Sequence, residues 1–456
     1  MKRAQGNTIS KETNKTKREE LGLARRLVLI LVLFFVGALF SQAQASDEPS
    51  AGQSPGEDEP SKTVSAEKSL ETKTETAEAK SWISYTPQDG IRINPPDFTI
   101  KPSGTAVFQG VSHANNGGGC GLKSSWLIYI DMEKKLSDWG DIYLRLEPGR
   151  GQTVMTRLNL FSNVNYNAYD SRSNPLARKF WYEHHFFDEQ LNITCGKMDP
   201  TRRADQNIYA HNDDAQFLAY MFNISGTIEY APHYTFGIAA NACFENADFV
   251  KFNLNYFEGD ANWEQVFKRG IYSAQVNIKP ASLLGIDPER WDGNYRFYGW
   301  TNTRYHNKLV EEGQPQSVND KRINYGFGLS FDQMLTDVFG VFTRFGWQRP
   351  DLIRLVGGTS GATLEWTWSV GGQMKGKCWK REKDVLGIAV GQDVPSRQYK
   401  DAGHPGSTEG SAEVYYNFAL NEHLYISPDF QLVWNPFGVK PSDNVYVYGV
   451  RTYVKF

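Results

Sequence analysis

The residues best suited to chemistry in this sequence are fixed donors and acceptors at a spacing of two. Tyr143, Arg145 and Glu147 follow one another at that interval, as do Glu413 with Tyr415 and Asp429 with Gln431, while Arg344 and Arg451 stand among apolar neighbours. Residues two apart in an extended chain share a face, so each set gathers on one side of a strand. Arginine offers a rigid fork of donors that stays charged, and carboxylates and amides offer acceptors. With tyrosine rings for C–H surfaces, such faces suit an uncharged, hydroxyl-rich solute. They equally suit a wall network in which arginine and carboxylate satisfy each other. Parity fixes the face of a residue and not its height, so both readings stand.

Other chemistries find less support. His184 and His185 are adjacent, and adjacent strand residues face opposite sides, so they cannot share one ion; no metal and no cofactor are expected. The cysteines Cys120, Cys195, Cys243 and Cys378 lie far apart with no C-x-x-C pair. That spacing excludes a zinc motif and leaves any disulfide pairing open. There is no G-x-S-x-G elbow, and Ser and His seldom share a strand face, so no enzyme is expected. A formal net charge of −3 gives none of the basic excess that binds nucleic acid.

The elements that must carry these faces are strands. From about residue 91 the sequence alternates with period two. Tyr446, Tyr448, Val450, Thr452 and Val454 oppose Val447, Gly449, Arg451, Tyr453 and Lys455. Val414, Tyr416 and Phe418 oppose Glu413, Tyr415 and Asn417; Leu364, Trp366, Trp368 and Val370 oppose Glu365, Thr367 and Ser369. Tyr325, Phe327, Leu329 and Phe331 oppose Gly326, Gly328, Ser330 and Asp332. One face carries full charges and glycines; the other begins and ends in aromatics. A wet lumen and two interfacial girdles predict that pattern. The aromatic share, 14%, fits girdles, and no apolar run long enough for a membrane helix follows position 40.

The reading is therefore all-β: a transmembrane antiparallel β-barrel of the outer-membrane porin type over 81–456, with about 16 strands at roughly 20 to 23 residues per strand and connection. With Phe456 at the periplasmic end, 435–444, 392–410 and 349–361 become outer loops, and 421–422 and 333–337 inner turns. The segment 374–383 stands out as an inner connection that is lysine-rich and not short. Ahead of the barrel, the apolar run 27–40 follows Arg25-Arg26 and precedes Ala43 and Ala45, which reads as a signal peptide over 1–45, an uncleaved anchor being the alternative. Residues 46–80 are acidic and of low complexity, as in a periplasmic linker.

Four segments resemble the OprB-type carbohydrate-selective porins: 341–347 (VFTRFGW), 377–387 (KCWKREKDVLG), 413–436 (EVYYNFALNEHLYISPDFQLVWNP) and 196–217 (GKMDPTRRADQNIYAHNDDAQF). The chain lacks the family's Trp-Gly-Gly opening and adds the acidic linker. The resemblance implies a 16-stranded monomeric channel for monosaccharides and related polyols, a trimer being the alternative. It also implies a constriction of arginines and acidic residues, with part of a loop folded inward. Arg202, Arg203 and Asp205 fall in the matching loop and join the candidates. The partners implied are small carbohydrate solutes, outer-membrane lipid and the barrel-assembly machinery, at the cell outer membrane. A general non-selective porin and a barrel anchoring the linker to the envelope are the rival functions.

Overall fold

The computed structural model describes residues 83–86, 90–93, 98–116, 121–167, 177–230, 234–245, 247–315, 321–355 and 362–456. The segments expected to be the signal peptide and the acidic linker lie outside the described residues, as does Cys120. A short hairpin, β1 (Ile83–Thr86) and β2 (Gly90–Ile93), leads into β3 (Phe98–Val111) through the pairing of Ile91 with Ile100. Next come β4 (Lys123–Lys135), β5 (Gly140–Leu146), the short β6 (Gly149–Gly151), β7 (Ala177–Phe186) and β8 (Leu191–Met198). The run continues with β9 (Thr235–Phe244), β10 (Ala247–Glu258), β11 (Gly270–Ile278), β12 (Gly293–His306) and β13 (Arg322–Met334). It ends with β14 (Phe339–Gln348), β15 (Leu364–Gly376), β16 (Arg381–Pro395), β17 (Glu409–Ala419), β18 (Leu424–Trp434) and β19 (Val445–Lys455).

Every long strand pairs antiparallel with its neighbour in sequence, and β19 pairs back with β3 from Val447–Val111 to Lys455–Ser103. Setting aside β1, β2 and β6, sixteen strands close into a barrel. Closure leaves no sheet edge, which is what lets strands cross hydrocarbon with every backbone group paired. Tight turns at 136–139, 187–190, 335–338, 377–380 and 420–423 mark one end, which also holds Phe456. Short turns face the periplasm in such barrels.

The connection at 374–383 is shorter than expected. β15 runs on to Gly376 and β16 starts at Arg381, so the lysines lie on strand ends and a four-residue turn. The long inner connection is instead 279–292, with one helical turn at Pro280–Leu284. Parity also fails at Leu364. A bulge between Leu364 and Trp366 turns Leu364 inward, where it is fully buried beside Phe161.

The outer wall carries the apolar half of each strand: Phe327, Val370, Ile388, Val390, Val414 and Phe430 are exposed. Near the loop end, Phe327 and Tyr325 approach Trp347, which meets Trp366 at 6.2 Å. Near the turn end, Tyr295 stacks on Phe331 at 4.7 Å, and Trp379 donates to the Tyr416 hydroxyl at 2.6 Å. These are the two amphipathic girdles of a membrane wall. An arginine at Val390, central on β16, is expected to cost about 2–4 kcal/mol, while one at exposed Glu382, near the turn, costs roughly 0–1 kcal/mol. Equilibrium unfolding in lipid vesicles measures both; equal costs would contradict a lipid-facing β16.

Candidate functional site in the barrel lumen

Two loop-end connections fold back into the barrel: 152–167, after β6, and 199–230, after β8. Both are rich in apolar residues. The first lays Val154, Leu158, Leu160 and Val164 on Val111, Val433, Val445 and Val447 of the wall. The second lays Phe217, Met221 and Phe222 on Phe342, Ala389 and Tyr415, and Ile224, Ile228 and Tyr230 on Tyr298 and Trp300. Those last two rings need flat ground. A Cβ at Gly328 would stand 2.4 Å from the Tyr298 hydroxyl, and one at Gly326 2.7 Å from the Trp300 nitrogen, so the glycines of β13 make room for rings that support the insert. The two inserts also hydrogen-bond each other, Tyr166 N–H to Leu218 C=O and Tyr220 N–H to Asn163 C=O, each at 2.7 Å.

A buried peptide must have its polar groups satisfied, and wall side chains supply the partners. The Glu413 carboxylate accepts from the N–H groups of Leu218 (2.6 Å) and Ala219 (2.9 Å). Glu409 does the same for Phe161, Ser162 and Phe437. Cationic side chains take the carbonyls. Arg344 donates to Asp205 Oδ1 (3.0 Å), Phe222 C=O (2.6 Å), Asp205 C=O and Ala210 C=O. Arg451 donates to Asp213 C=O (3.0 Å) and Gln216 C=O (2.6 Å). Gln431 donates to Val164 C=O and to Asp429. Tyr415 accepts from Gln373 at 2.7 Å and meets Phe217 edge-on. Arg344, Glu413, Tyr415, Asp429, Gln431 and Arg451 thus face inward as parity requires, but each is at most 5% exposed. The insert covers them, together with its own Asp205. Glu147 is likewise buried, accepting from the Tyr234 hydroxyl at 2.8 Å and lying 3.7 Å from Arg178.

Within the insert, burial with Arg202 and Arg344 nearby holds His211 well below the ordinary histidine range. Its neutral ring, 2.8 Å from Asn223 C=O through Nδ1, adds one more fastening.

The other three candidates lie on a more open part of the lumen. Arg145 forms a two-pronged pair with Asp131, with Nη2 to Oδ2 at 2.7 Å, and its guanidinium sits 4.5 Å over the Tyr129 ring. The Tyr143 hydroxyl also donates to Asp131, and its ring stacks on Trp181 at 4.8 Å. Across from this wall, Arg202 pairs with Asp213 at 2.6 Å. Arg203 reaches Met198 Sδ at 3.2 Å with its guanidinium 5.9 Å from the Trp181 ring. Asp199 bridges the two sides, 3.8 Å from Lys179 and 3.9 Å from Arg202.

Sequence reasoning passed over an amide surface on β8–β12. Asn192, Asn241, Asn253, Gln275 and Asn277, with Arg296, line a cleft of about 290 Å³ that reaches Glu189 in the turn at 187–190. Asn253 donates to Asn241, Asn255 to Asn253, Asn277 to Asn294 at 3.0 Å, and Asn294 to Asp332 at 2.9 Å. Asn253 with Asn255, and Gln275 with Asn277, stand at spacing two, the signal that would have found them.

The anchoring of 199–230 carries a prediction. Asp205→Ala strands a buried guanidinium, a loss of about 3–5 kcal/mol, concentrated on the insert because the wall ladders remain paired. Single-channel recording is expected to show larger, noisier conductance from a barrel that still resists detergent. Unchanged conductance would show that the insert does not depend on this pair.

A family model described as carbohydrate-selective porin, OprB family, matches residues 130–456. The high-pH structure of Pseudomonas putida OprB resembles the fold with a TM-score of 0.65 at 17% identity, covering 79% of this chain and 94% of that one. The outer-membrane channel DcaP of Acinetobacter baumannii gives 0.50 at 12% identity, over 79% of this chain and 97% of that one. No curated protein matches the sequence. Identity that low speaks for the fold alone, but the family match covers the barrel from within β4 to its last residue, and the chain belongs to the carbohydrate-selective OprB family of outer-membrane porins.

Proposed function

We propose that this porin passes monosaccharides and similar small polyols by passive diffusion between the inserted segment and the wall of β4–β11. The observation that carries the reading is the paired-charge cluster on that side. Arg145 with Asp131, Lys179 with Asp199 and Arg202 with Asp213 are each cation and carboxylate together. Near-neutral pairs give an ion little net attraction, while their spare donors and acceptors can meet solute hydroxyls. The stacked Tyr143 and Trp181 rings offer a flat apolar surface for the C–H face of a sugar. Below them the amides of β8–β11 present a donor and an acceptor on each side chain, enough to replace water around a neutral polyol without holding it.

In this reading the sequence candidates divide by role. Arg145, Arg202 and Arg203 meet solute. Arg344, Asp205, Glu413, Tyr415, Asp429, Gln431 and Arg451 act one step back, by holding the insert that shapes the path, and Glu147 fixes Tyr234. One chain forms one complete path, delivered by the barrel-assembly machinery; a trimer would leave that path inside each barrel. The solute crosses unchanged, with no catalytic step.

Liposome swelling tests this. Aldohexoses are expected to enter faster than disaccharides. Arg145→Ala, which removes a charged hydrogen-bonding fork, is expected to change sugar discrimination by about tenfold, and Asn253→Leu by roughly fivefold. Equal rates for mono- and disaccharides in the wild type would leave a general porin. Discrimination that neither substitution alters would move the path away from this wall.

A further inference from the structure

His184 and His185 part company at the turn end of β7. His184 points outward into an aromatic group, 4.2 Å from the Phe186 ring and 6.0 Å from that of Trp139. His185 points into the lumen, and there it meets two carboxylates. Asp141 of β5 and Glu183 of β7 are direct partners in the ladder, and His185 lies two residues beyond Glu183 on the same face.

The distances are informative. His185 Nε2 is 3.4 Å from Asp141 Oδ2 and 3.6 Å from Glu183 Oε1, and one ligand atom from each residue falls within 4.8 Å of the others. A separation of 3.6 Å is too long for a hydrogen bond. It is close to the spacing of donors around a shared ion: zinc bonds of roughly 2.0–2.2 Å in a tetrahedral arrangement set neighbouring ligands about 3.4 Å apart. The other oxygen of Glu183 accepts from Thr194 Oγ1 at 2.5 Å, an outer contact of the kind that orients a metal-binding carboxylate. Two like charges directly opposed across a ladder are also unfavourable; Lys135, the other ladder partner of Asp141, offsets part of that repulsion, and a cation held between the carboxylates offsets more.

We propose that Asp141, Glu183 and His185 bind one divalent transition-metal ion of the zinc type on the lumen wall. The imidazole argues against calcium and magnesium, which prefer all-oxygen shells. The three side chains are only partly buried, between 12% and 20% exposed, so an ion arriving through water can reach them and keep a water ligand. Binding adds positive charge near the periplasmic mouth and makes the channel less attractive to cations.

Calorimetric titration of the tag-free chain, folded in detergent, with zinc ions tests the site. One zinc per chain is expected. His185→Ala and Glu183→Gln are each expected to weaken binding by at least about tenfold, Thr194→Val by roughly tenfold, and His184→Ala not at all. In planar bilayers, zinc is expected to shift the reversal potential toward anions in the wild type and not in Glu183→Gln, a near-isosteric change that keeps the test valid should His185→Ala not fold. Absence of zinc binding up to about 1 mM, an isotherm unaltered by both Glu183→Gln and Asp141→Asn, or a loss in His184→Ala equal to that in His185→Ala would overturn the proposal.

Discussion

A peptide folded into the middle of a barrel takes its N–H and C=O groups out of bulk water, and each one left unpaired there costs about 1–3 kcal/mol. That constraint sorts the charges of the inner wall. Carboxylates stand where the insert presents N–H groups: Glu413 under Leu218 and Ala219, Glu409 under Phe161 and Ser162. Guanidinium and amide groups stand where it presents carbonyls: on the wall Arg344 at Phe222 and Ala210 and Gln431 at Val164, and in the connection after β14 Arg354 at Gly226 and Ile228. Apolar contacts position the segment, but the polar contacts set its register, because shifting it by one residue would replace donors with acceptors along the same wall.

The two sides of the lumen differ for the same reason. Where the insert lies against the wall, the inner face is built to receive it: Gly326 and Gly328 leave room for Trp300 and Tyr298, and Phe342, Val433 and Val447 are apolar at inward positions. Elsewhere, the inward positions of β8–β11 are amides toward the turn end, two of which, Gln275 and Asn255, also bond the insert at Asp205 and Arg203, and an apolar patch of Met198, Ala239, Phe257 and Ile271; those of β4, β5 and β7 are paired charges and aromatics. On the insert side, an apolar inward residue such as Phe342 or Val447 marks a contact with an insert.

Most of the fold was legible because period two is a local property. The inward faces of Arg344, Glu413, Asp429, Gln431 and Arg451 follow from their neighbours alone, whereas closure rests on the long-range pairing of β19 with β3, which alternation by itself does not encode. Local reasoning failed where geometry changed within a strand, as at the Leu364–Trp366 bulge, or where strands outran their polar ends, as at 374–383. It could not tell a wall charge that meets water from one that meets a folded-in backbone, since alternation names a side and says nothing of what lies against it. The apolar run 217–222 read as nothing in particular, although it is the segment that covers those charges. Asp141 and His185 come together through a ladder joining β5 to β7, strands separated in sequence by the first insert. No spacing along the chain encodes that meeting.

The number of bonds each group makes then decides what can move. For the insert to shift, Arg344 must leave four acceptors at once, three of them backbone carbonyls, and Glu413 must leave two amide protons, all where water cannot take their place. Arg202 faces the lumen about one-third exposed and Arg145 about one-fifth, and water can replace a partner that swings away. The proposed path therefore combines a fixed frame with a few adjustable side chains. On the proposed path a sugar exchanges hydrogen bonds with groups such as Arg145 and Arg202, while the frame behind them stays still.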